Sequence, residues 1–239
     1  MVSRNPTFPL RSIGLAAVVV AALSAFPLRI AAAAGCSAAA APGVDWTECV
    51  KKVIILSGSD LNGATLVGVD FTSTDLRDTN LMAANLEKAT LVRASLAGSK
   101  AEGAKFDRIE AYRTNFSDMR AQGATFASAE MQRSNFTNAT LINVDFTKAE
   151  LGRADFTGAD ITGTKFALAN LSRADLSKAK FSGSIDFASS FLYLTRIEGL
   201  DLSAATGLAQ WQIDMSCGDA NTKLPAGLAV SKNWPCQFD

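Results

Sequence analysis

The chain has 239 residues with 23 Lys and Arg against 23 Asp and Glu, a balance that does not indicate a nucleic-acid-binding protein. Histidine is absent, which excludes Ser-His and Cys-His catalytic arrangements and removes a common metal ligand. Aromatic residues make up only 8%, so a narrow core lined by small and medium side chains is expected.

Residues 1–34 predict a cleaved signal peptide. Arg4 and Arg11 precede an apolar stretch at residues 13–26, and an Ala-x-Ala cleavage site follows. The stretch is shorter than the roughly 20 residues of a membrane span, although a retained anchor remains the alternative. Cleavage would leave 20 basic and 23 acidic residues. The sequence therefore predicts an exported protein, periplasmic or secreted, that meets the membrane only through its signal.

The four cysteines form two local couples, Cys36 with Cys49 and Cys217 with Cys236. In an exported protein, an even and locally paired count favours two disulfides. The "AAGC" sequence ending at Cys36 leaves lipid acylation of that cysteine as a minor alternative. The first couple lies in residues 35–58, an expected N-terminal cap that Trp46 helps to close.

A five-residue period begins at Leu61. Of the 25 positions reached in steps of five up to Phe181, 22 carry a large apolar residue, and the exceptions are Ala101, Ala111 and Ala121. The preceding residue is always polar. Neither a helix nor a strand keeps such a spacing on one face, so the chain must turn a corner in every repeat. Stacked repeats then bury a shared apolar column.

Side chains also recur every twenty residues. One such set, here called the arginine column, comprises Arg93, Arg113, Arg133, Arg153 and Arg173. Four repeats thus complete one turn, which predicts a four-sided coil with Phe126 inside. Where the large position shrinks to Ala111 or Ala121, the small position grows to Ile109 or Met119, as dense packing requires.

The pattern A-(D/N)-(L/F)-x-x, seen as "ADLSK", "ADFTG", "ANLSR" and "ANLEK", resembles the pentapeptide-repeat family. The resemblance implies an all-β solenoid, a right-handed quadrilateral parallel β-helix, over residues 59–202. One residue is inserted after Phe181, and the register continues through Phe187, Leu192, Ile197 and Leu202. Residues 203–239 form the expected C-terminal cap, in which a short helix would plug the coil with Leu208, Trp211, Ile213 and Met215.

No motif for catalysis, cofactor binding or metal binding emerges, and the sequence predicts none of these. Asp155, Asp160 and Asp175 are carboxylates that the repeat itself explains. The arginine column has two interpretations. It is either a stripe that binds an anionic polymer or a ladder paired with Glu110, Glu130 and Glu150. Internal pairing is favoured because the acids recur at the same step, whereas Arg93 has Thr90 in the matching place.

The sequence therefore predicts a non-enzymatic, exported structural or protein-interaction module. Its partner would be an unknown protein or envelope component, with a homodimer as one option and nucleic acid not expected. Some members of the family mimic DNA and bind a type II topoisomerase. That alternative requires a dense negative surface in the cytoplasm, which the signal peptide and the near-neutral charge disfavour. Binding of an anionic polymer through the arginine column is the other alternative.

Overall fold

The backbone turns a corner in each five-residue repeat. In the repeat centred on Phe126, the Ala129 N–H donates to the Phe126 carbonyl at 3.1 Å and closes a turn. Ser128, inside that turn, has a φ of 57°, the left-handed conformation that the third position of a type II turn requires. The structure, a computed structural model, describes residues 1–2 and 35–237. The predicted signal peptide falls almost entirely outside these residues.

Single parallel bridges join each coil to the next. The Phe126 N–H donates to the Asp145 carbonyl at 2.8 Å, and the Thr125 N–H donates to the Ala104 carbonyl of the preceding coil at 3.1 Å. The bridges run from Asp45 to Lys223, beyond both ends of the expected range 59–202. The residues that the structure describes contain isolated bridges rather than strands. An all-β fold of short strands is thus too simple a description, because a corner follows each bridging residue.

The core confirms the predicted interior. Phe126 is fully buried, and its ring stacks on Phe106 at 4.5 Å and on Phe146 at 5.1 Å between centroids. Edge-on contacts join it to the second phenylalanine stack, at 5.9 Å to Phe116 and 6.1 Å to Phe136. Such pairs stabilise a core beyond the burial of their area.

Several buried hydroxyls are satisfied by the coil itself, although the Ser99 hydroxyl is buried without a hydrogen-bond partner among the described residues. The Thr114 hydroxyl donates to the Leu91 carbonyl at 2.6 Å, and the Ser134 hydroxyl donates to the Ala111 carbonyl at 2.8 Å. An inward Thr or Ser costs little where, as here, its hydroxyl reaches a carbonyl of the preceding coil.

The residue inserted after Phe181 shifts the numbering but keeps the stack. Asp160 bridges Lys180, twenty residues on, whereas Lys165 bridges Asp186 and Asn170 bridges Phe191, each twenty-one residues on. The inward positions predicted for this region are buried: Phe187, Leu192, Ile197 and Leu202.

The N-terminal end is closed by Trp46. Its side chain is 1% exposed and meets Phe71 edge-on at 6.3 Å between ring centroids. Since Asp45 already bridges Thr65, this cap is itself the first part of the coil.

The C-terminal end carries α1, Gln210–Met215. Ile213 is fully buried as expected, but Trp211 faces outward with 46% of its surface exposed, so the prediction that Trp211 plugs the coil is wrong. The buried neighbour Gln212 takes that place. Its Nε2 donates to the carbonyls of Phe187 and Ser190, both at 2.9 Å. A polar side chain therefore closes this end, because the last coil presents carbonyl groups that need donors.

Both disulfides join the cysteines that are neighbours in sequence, Cys36 to Cys49 and Cys217 to Cys236. A disulfide-bonded Cys36 has no thiol for acylation, which removes the support for a lipoprotein. In the part of the chain that the structure describes, no helix is both long and apolar enough to span a bilayer.

Candidate functional site

One side of the coil carries the sequence-predicted site residues. An unbroken ladder of bridges defines it, and we call it the third side: Val50, Asp70, Thr90, Glu110, Glu130, Glu150, Asn170 and Phe191. Glu110, Glu130 and Glu150 form its glutamate column. Each of these residues is followed, three positions later, by a member of the arginine column in the same coil.

The arginine column occupies the corner that ends the third side. The Arg113 N–H donates to the Gln132 carbonyl at 3.1 Å, and the Arg133 N–H donates to the Gly152 carbonyl at 2.9 Å. The arginines are therefore in register, as the twenty-residue period predicts. All five have φ between 56° and 60°. This left-handed conformation is costly for a residue with a Cβ, and the sequence pattern did not indicate it for these arginines.

The predicted pairing of the arginine column with the glutamate column is wrong. Other arginines do form ion pairs: Arg77 with Asp75 at 2.7 Å, Arg120 with Glu102 at 3.0 Å, and Arg108 with Glu87. Within residues 35–237, no arginine of the column forms an ion pair. The Arg113 guanidinium instead lies 5.2 Å from the Tyr112 ring centre.

Neighbouring acids have other partners or none. The Asn170 side-chain amide donates to Glu150 at 2.8 Å, the Thr157 N–H donates to Asp155 at 2.8 Å, and Arg196 binds Asp175 at 2.8 Å. Glu110 and Glu130 are exposed and have no side-chain hydrogen bond or ion pair among the described residues. The third side therefore presents a column of arginines without ion pairs beside two glutamates, Glu110 and Glu130, that are available to a partner.

A shallow depression of about 270 Å³ lies along the arginine column. Its lining consists of Gln132, Arg133, Gly152, Arg153, Ser172 and Arg173. A Cβ at Gly152 would be 3.7 Å from the Ser172 carbonyl oxygen, an ordinary contact, and Gly152 does not have a left-handed φ. The backbone therefore does not require glycine here, and its missing side chain leaves the floor of the depression open.

Exposed apolar side chains are also concentrated on the third side. In residues 35–237, ten large apolar side chains are exposed, and half of them belong to this side: Val50, Val53, Tyr112, Phe191 and Tyr193. In the same range, each of the other three sides carries a single exposed large apolar side chain: Ile55, Met82 or Leu168. Exposed apolar groups rimmed by charge are typical of an interaction surface.

The clefts of the C-terminal cap offer no comparable chemistry. One cleft of about 440 Å³ is lined by Asp219, Asn221, Val230 and Trp234, among others. The Gly199 N–H donates to Asp219 and lowers the pKa of that carboxyl group, so it is ionised and held in a backbone turn. No cluster that could hold a metal ion occurs in the described ranges 1–2 and 35–237. Asp155 and Asp160 accept hydrogen bonds from nearby backbone N–H groups, which is a structural role.

Comparison with known proteins identifies the repeat. A family model described as pentapeptide repeats matches in eight copies over residues 56–87, 79–118, 122–158 and 149–185, more than half of the chain. No curated protein matches the sequence.

Several solved structures are similar. HetL, a pentapeptide repeat protein involved in heterocyst differentiation regulation in Nostoc, is 22% identical, with 81% of this chain and 87% of HetL covered and a TM-score of 0.48. A trypsin-treated variant of QnrB1, a plasmid-mediated fluoroquinolone resistance protein, is 21% identical, with 75% and 85% covered and a TM-score of 0.38. A thylakoid-lumen pentapeptide repeat protein of Arabidopsis thaliana is 26% identical, with 44% and 67% covered and a TM-score of 0.24.

Proposed function

The chain belongs to the pentapeptide-repeat family, and we propose that it is an exported, non-enzymatic interaction rod that binds an acidic partner through the arginine column. The observation that carries the proposal is the free state of these arginines, since none has an ion pair in residues 35–237. With coils about 4.8 Å apart, the column spans roughly 19 Å. Guanidinium groups bind carboxylates and phosphates in a bidentate manner, and a row of them favours an extended acidic surface.

The fold supports a role as a rod rather than as a catalyst. Most backbone N–H groups of each repeat bond to a neighbouring coil or to the turn, so the column is held in fixed register. We include in this proposal the right-handed coiling of the rod that membership of the family implies. The absence of histidine and the structural roles of the candidate carboxylates support a non-enzymatic function.

The binding proposal is tested by affinity capture from an envelope fraction. The wild-type protein and an Arg113→Glu, Arg133→Glu double variant serve as baits, because both changes lie on exposed corners. An Arg77→Glu, Arg120→Glu variant is the matched control, since it changes charge equally at arginines that have ion pairs. We expect the column variant alone to lose the acidic partner. Equal capture by all three baits would overturn the proposal.

Export is tested separately by fusing residues 1–34 to a reporter enzyme that is active only outside the cytoplasm. We expect activity that disappears when residues 13–26 are interrupted by charged residues. Reporter activity confined to the cytoplasm would refute the location and leave the binding surface untouched.

The DNA-mimic alternative fits less well. A mimic of the DNA backbone needs closely spaced negative charge, whereas the third side exposes five unpaired arginines in the region described by the structure. We expect no change in DNA supercoiling by a type II topoisomerase when the protein is added.

A further inference from the structure

We propose that the acidic partner of the arginine column is the glutamate column of a second copy of the chain, so that two rods associate in a parallel homodimer through their third sides. This inference rests on the proposed function, because it names the partner of the surface assigned there. Its basis is the symmetry of the charge pattern.

Three of the five arginines, Arg113, Arg133 and Arg153, lie at the same height on the rod as a glutamate, whereas Arg93 and Arg173 lie beside Thr90 and Asn170. Glu130 and Arg133 belong to one coil, as do Glu110 and Arg113 one coil earlier, because bridges join Glu110 to Glu130. A two-fold axis parallel to the rod and between the columns exchanges the columns without changing height. Arg133 of each copy then faces Glu130 of the other. The same holds at Arg113 and Arg153.

The opposite orientation is electrostatically unfavourable. A two-fold axis perpendicular to the rod, lying in the contact plane, keeps each column on its own side and reverses height. The arginine column of one copy would then face the arginine column of the other. Like charges brought together in this way repel each other and disfavour association. The charge pattern therefore selects parallel rods.

Apolar residues at both ends follow the same symmetry. Phe191 and Tyr193 are exposed, and their rings lie 6.3 Å apart between centroids with 15° between their planes. The Arg173 N–H donates to the Tyr193 carbonyl as the Arg153 N–H donates to the Ser172 carbonyl, so Tyr193 continues the row of Ser172. The parallel axis therefore places Tyr193 against Tyr193 of the other copy, and Phe191 against Leu194. At the opposite end it places Val50 against Val53, which are 71% and 76% exposed. Apolar contacts at both ends thus flank the charged middle, and burying them favours association.

The middle of the strip permits close approach. Gln132, Gly152 and Ser172 lie between the two columns in sequence and line the depression. In the parallel dimer, each of these residues lies close to the two-fold axis and faces the same residue of the other chain. Gly152 has no side chain, so the arginines beside it can reach across.

The size of the strip predicts a weak dimer. The ladder from Val50 to Phe191 spans roughly 34 Å at the spacing of stacked strands. With a width of roughly 10–15 Å, the two copies would bury roughly 700–1,000 Å² in total, below the roughly 1,200 Å² at which stable specific complexes begin and within the range of weak, transient ones. We therefore expect association that depends on concentration and on salt.

Sedimentation equilibrium over a concentration series, with protein purified from the compartment in which it accumulates, tests the dimer. We expect the mass to approach twice that of the monomer in the wild type and in the Arg77→Glu, Arg120→Glu control. Reversal at Arg133→Glu and Arg153→Glu should raise the dissociation constant roughly 30-fold or more. Adding Glu130→Arg and Glu150→Arg to the same chain should restore it to within about threefold, because the columns have only changed places. A monomeric wild type, or failure of this rescue in a folded variant, overturns the inference.

Orientation is tested in the otherwise unchanged chain with Ser172→Cys. Ser172 lies near one end of the ladder, so parallel rods bring the two new thiols together and antiparallel rods hold them far apart. We expect a disulfide-linked dimer under mild oxidation. Asn62→Cys, in a turn on the opposite side of the coil, is the control and should stay monomeric. Absence of the Ser172→Cys dimer contradicts the parallel arrangement, even if a charge variant fails to fold.

The outcomes separate the two proposals. If the wild type is monomeric but captures an acidic envelope component in a column-dependent way, the homodimer fails and the proposed function stands. If the protein neither dimerises nor captures an acidic component, both fail.

Discussion

The coil from Asp45 to Lys180 and the cap around α1 both bury apolar side chains and satisfy backbone groups, but they do so with different kinds of contact. In the coil, one type of contact repeats at every level, as in the phenylalanine stacks and the turn hydrogen bonds. In the cap, each contact occurs once, such as the Gln212 amide to the last carbonyls and the Trp234 Nε1–H to the Ser216 carbonyl at 2.7 Å. The comparison teaches that stability from repetition is shared among neighbours, whereas the closure of the end depends on single residues.

The largest effect is expected inside the coil, at Phe126→Ala. The ring contacts four other phenylalanines, and its removal leaves a cavity between two stacks. We expect a loss of about 3–5 kcal/mol in the free energy of unfolding, measured with urea. Phe191→Ala, an exposed aromatic residue, is the control and should change it by less than about 0.5 kcal/mol. Similar values for both variants would contradict the stacked core.

Removal of the Cys217–Cys236 disulfide tests the cap. The bond closes a loop with a sequence separation of 19, for which chain entropy predicts about 3 kcal/mol. We expect Cys217→Ser with Cys236→Ser to speed hydrogen exchange at the backbone amide of position 217, which donates to the Thr195 carbonyl at 2.8 Å. Amides near Phe126 should exchange as before. Loss of protection along the whole coil would show that the two regions are not separable.

The Gln212→Ala variant removes a side-chain contact that occurs only once in the described part of the cap. It leaves the buried carbonyls of Phe187 and Ser190 without their donor, which should cost about 1–3 kcal/mol. Gln210→Ala is the matched control, because the Gln210 amide donates to Asp214 and the Ala229 carbonyl at the exposed surface. We expect an effect of only a few tenths of a kcal/mol there. Equal losses would mean that burial does not govern closure of the coil.

The backbone conformation at the corners should have a smaller effect on the free energy of unfolding, which the Gly123→Ala variant tests. Gly123 has a φ of 68°, and a Cβ there would meet nothing within 4 Å, so only the backbone opposes the change. We expect a loss of about 1 kcal/mol in urea unfolding. Gly152→Ala is the control without left-handed φ and should be neutral or slightly stabilising. A neutral Gly123→Ala would show that the corners tolerate side chains freely.

The smallest effect concerns pH at the cap. A hydrogen bond from Lys223 lowers the pKa of Asp201 to about 2. Because the folded pKa is lowered, the stabilisation is present above the ordinary carboxyl pKa near 3.8 and is lost as pH falls towards about 2. We expect Asp201→Asn to reduce the acid sensitivity of the urea midpoint slightly across that range. An unchanged pH profile would mean that this exposed pair contributes nothing.

The coil could be predicted from the sequence and the cap could not, for a physical reason. A period of five with a second period of twenty is visible only where the same environment recurs, and it correctly placed Phe126 inside and Arg113 beside Arg133. The side-chain choices that break the pattern were missed. Gln212 rather than Trp211 closes the end, because the need for a donor depends on carbonyls about 25 residues earlier. The unpaired state of the arginine column was also missed, since ion pairing depends on rotamers and not on period.

The residue inserted after Phe181 has a consequence for how such chains change length. In a flat sheet, adding one residue to a strand turns every later side chain to the opposite face. Here a corner takes up the extra residue. The bridges that span it, such as Lys165 to Asp186, are twenty-one residues apart, and Asp186 to Thr206 returns to twenty. Single-residue insertions at corners are therefore silent to the outer faces, whereas duplication of a whole coil would lengthen each face by one level. Such a molecule can gain whole coils without changing the spacing of the residues along its outer faces.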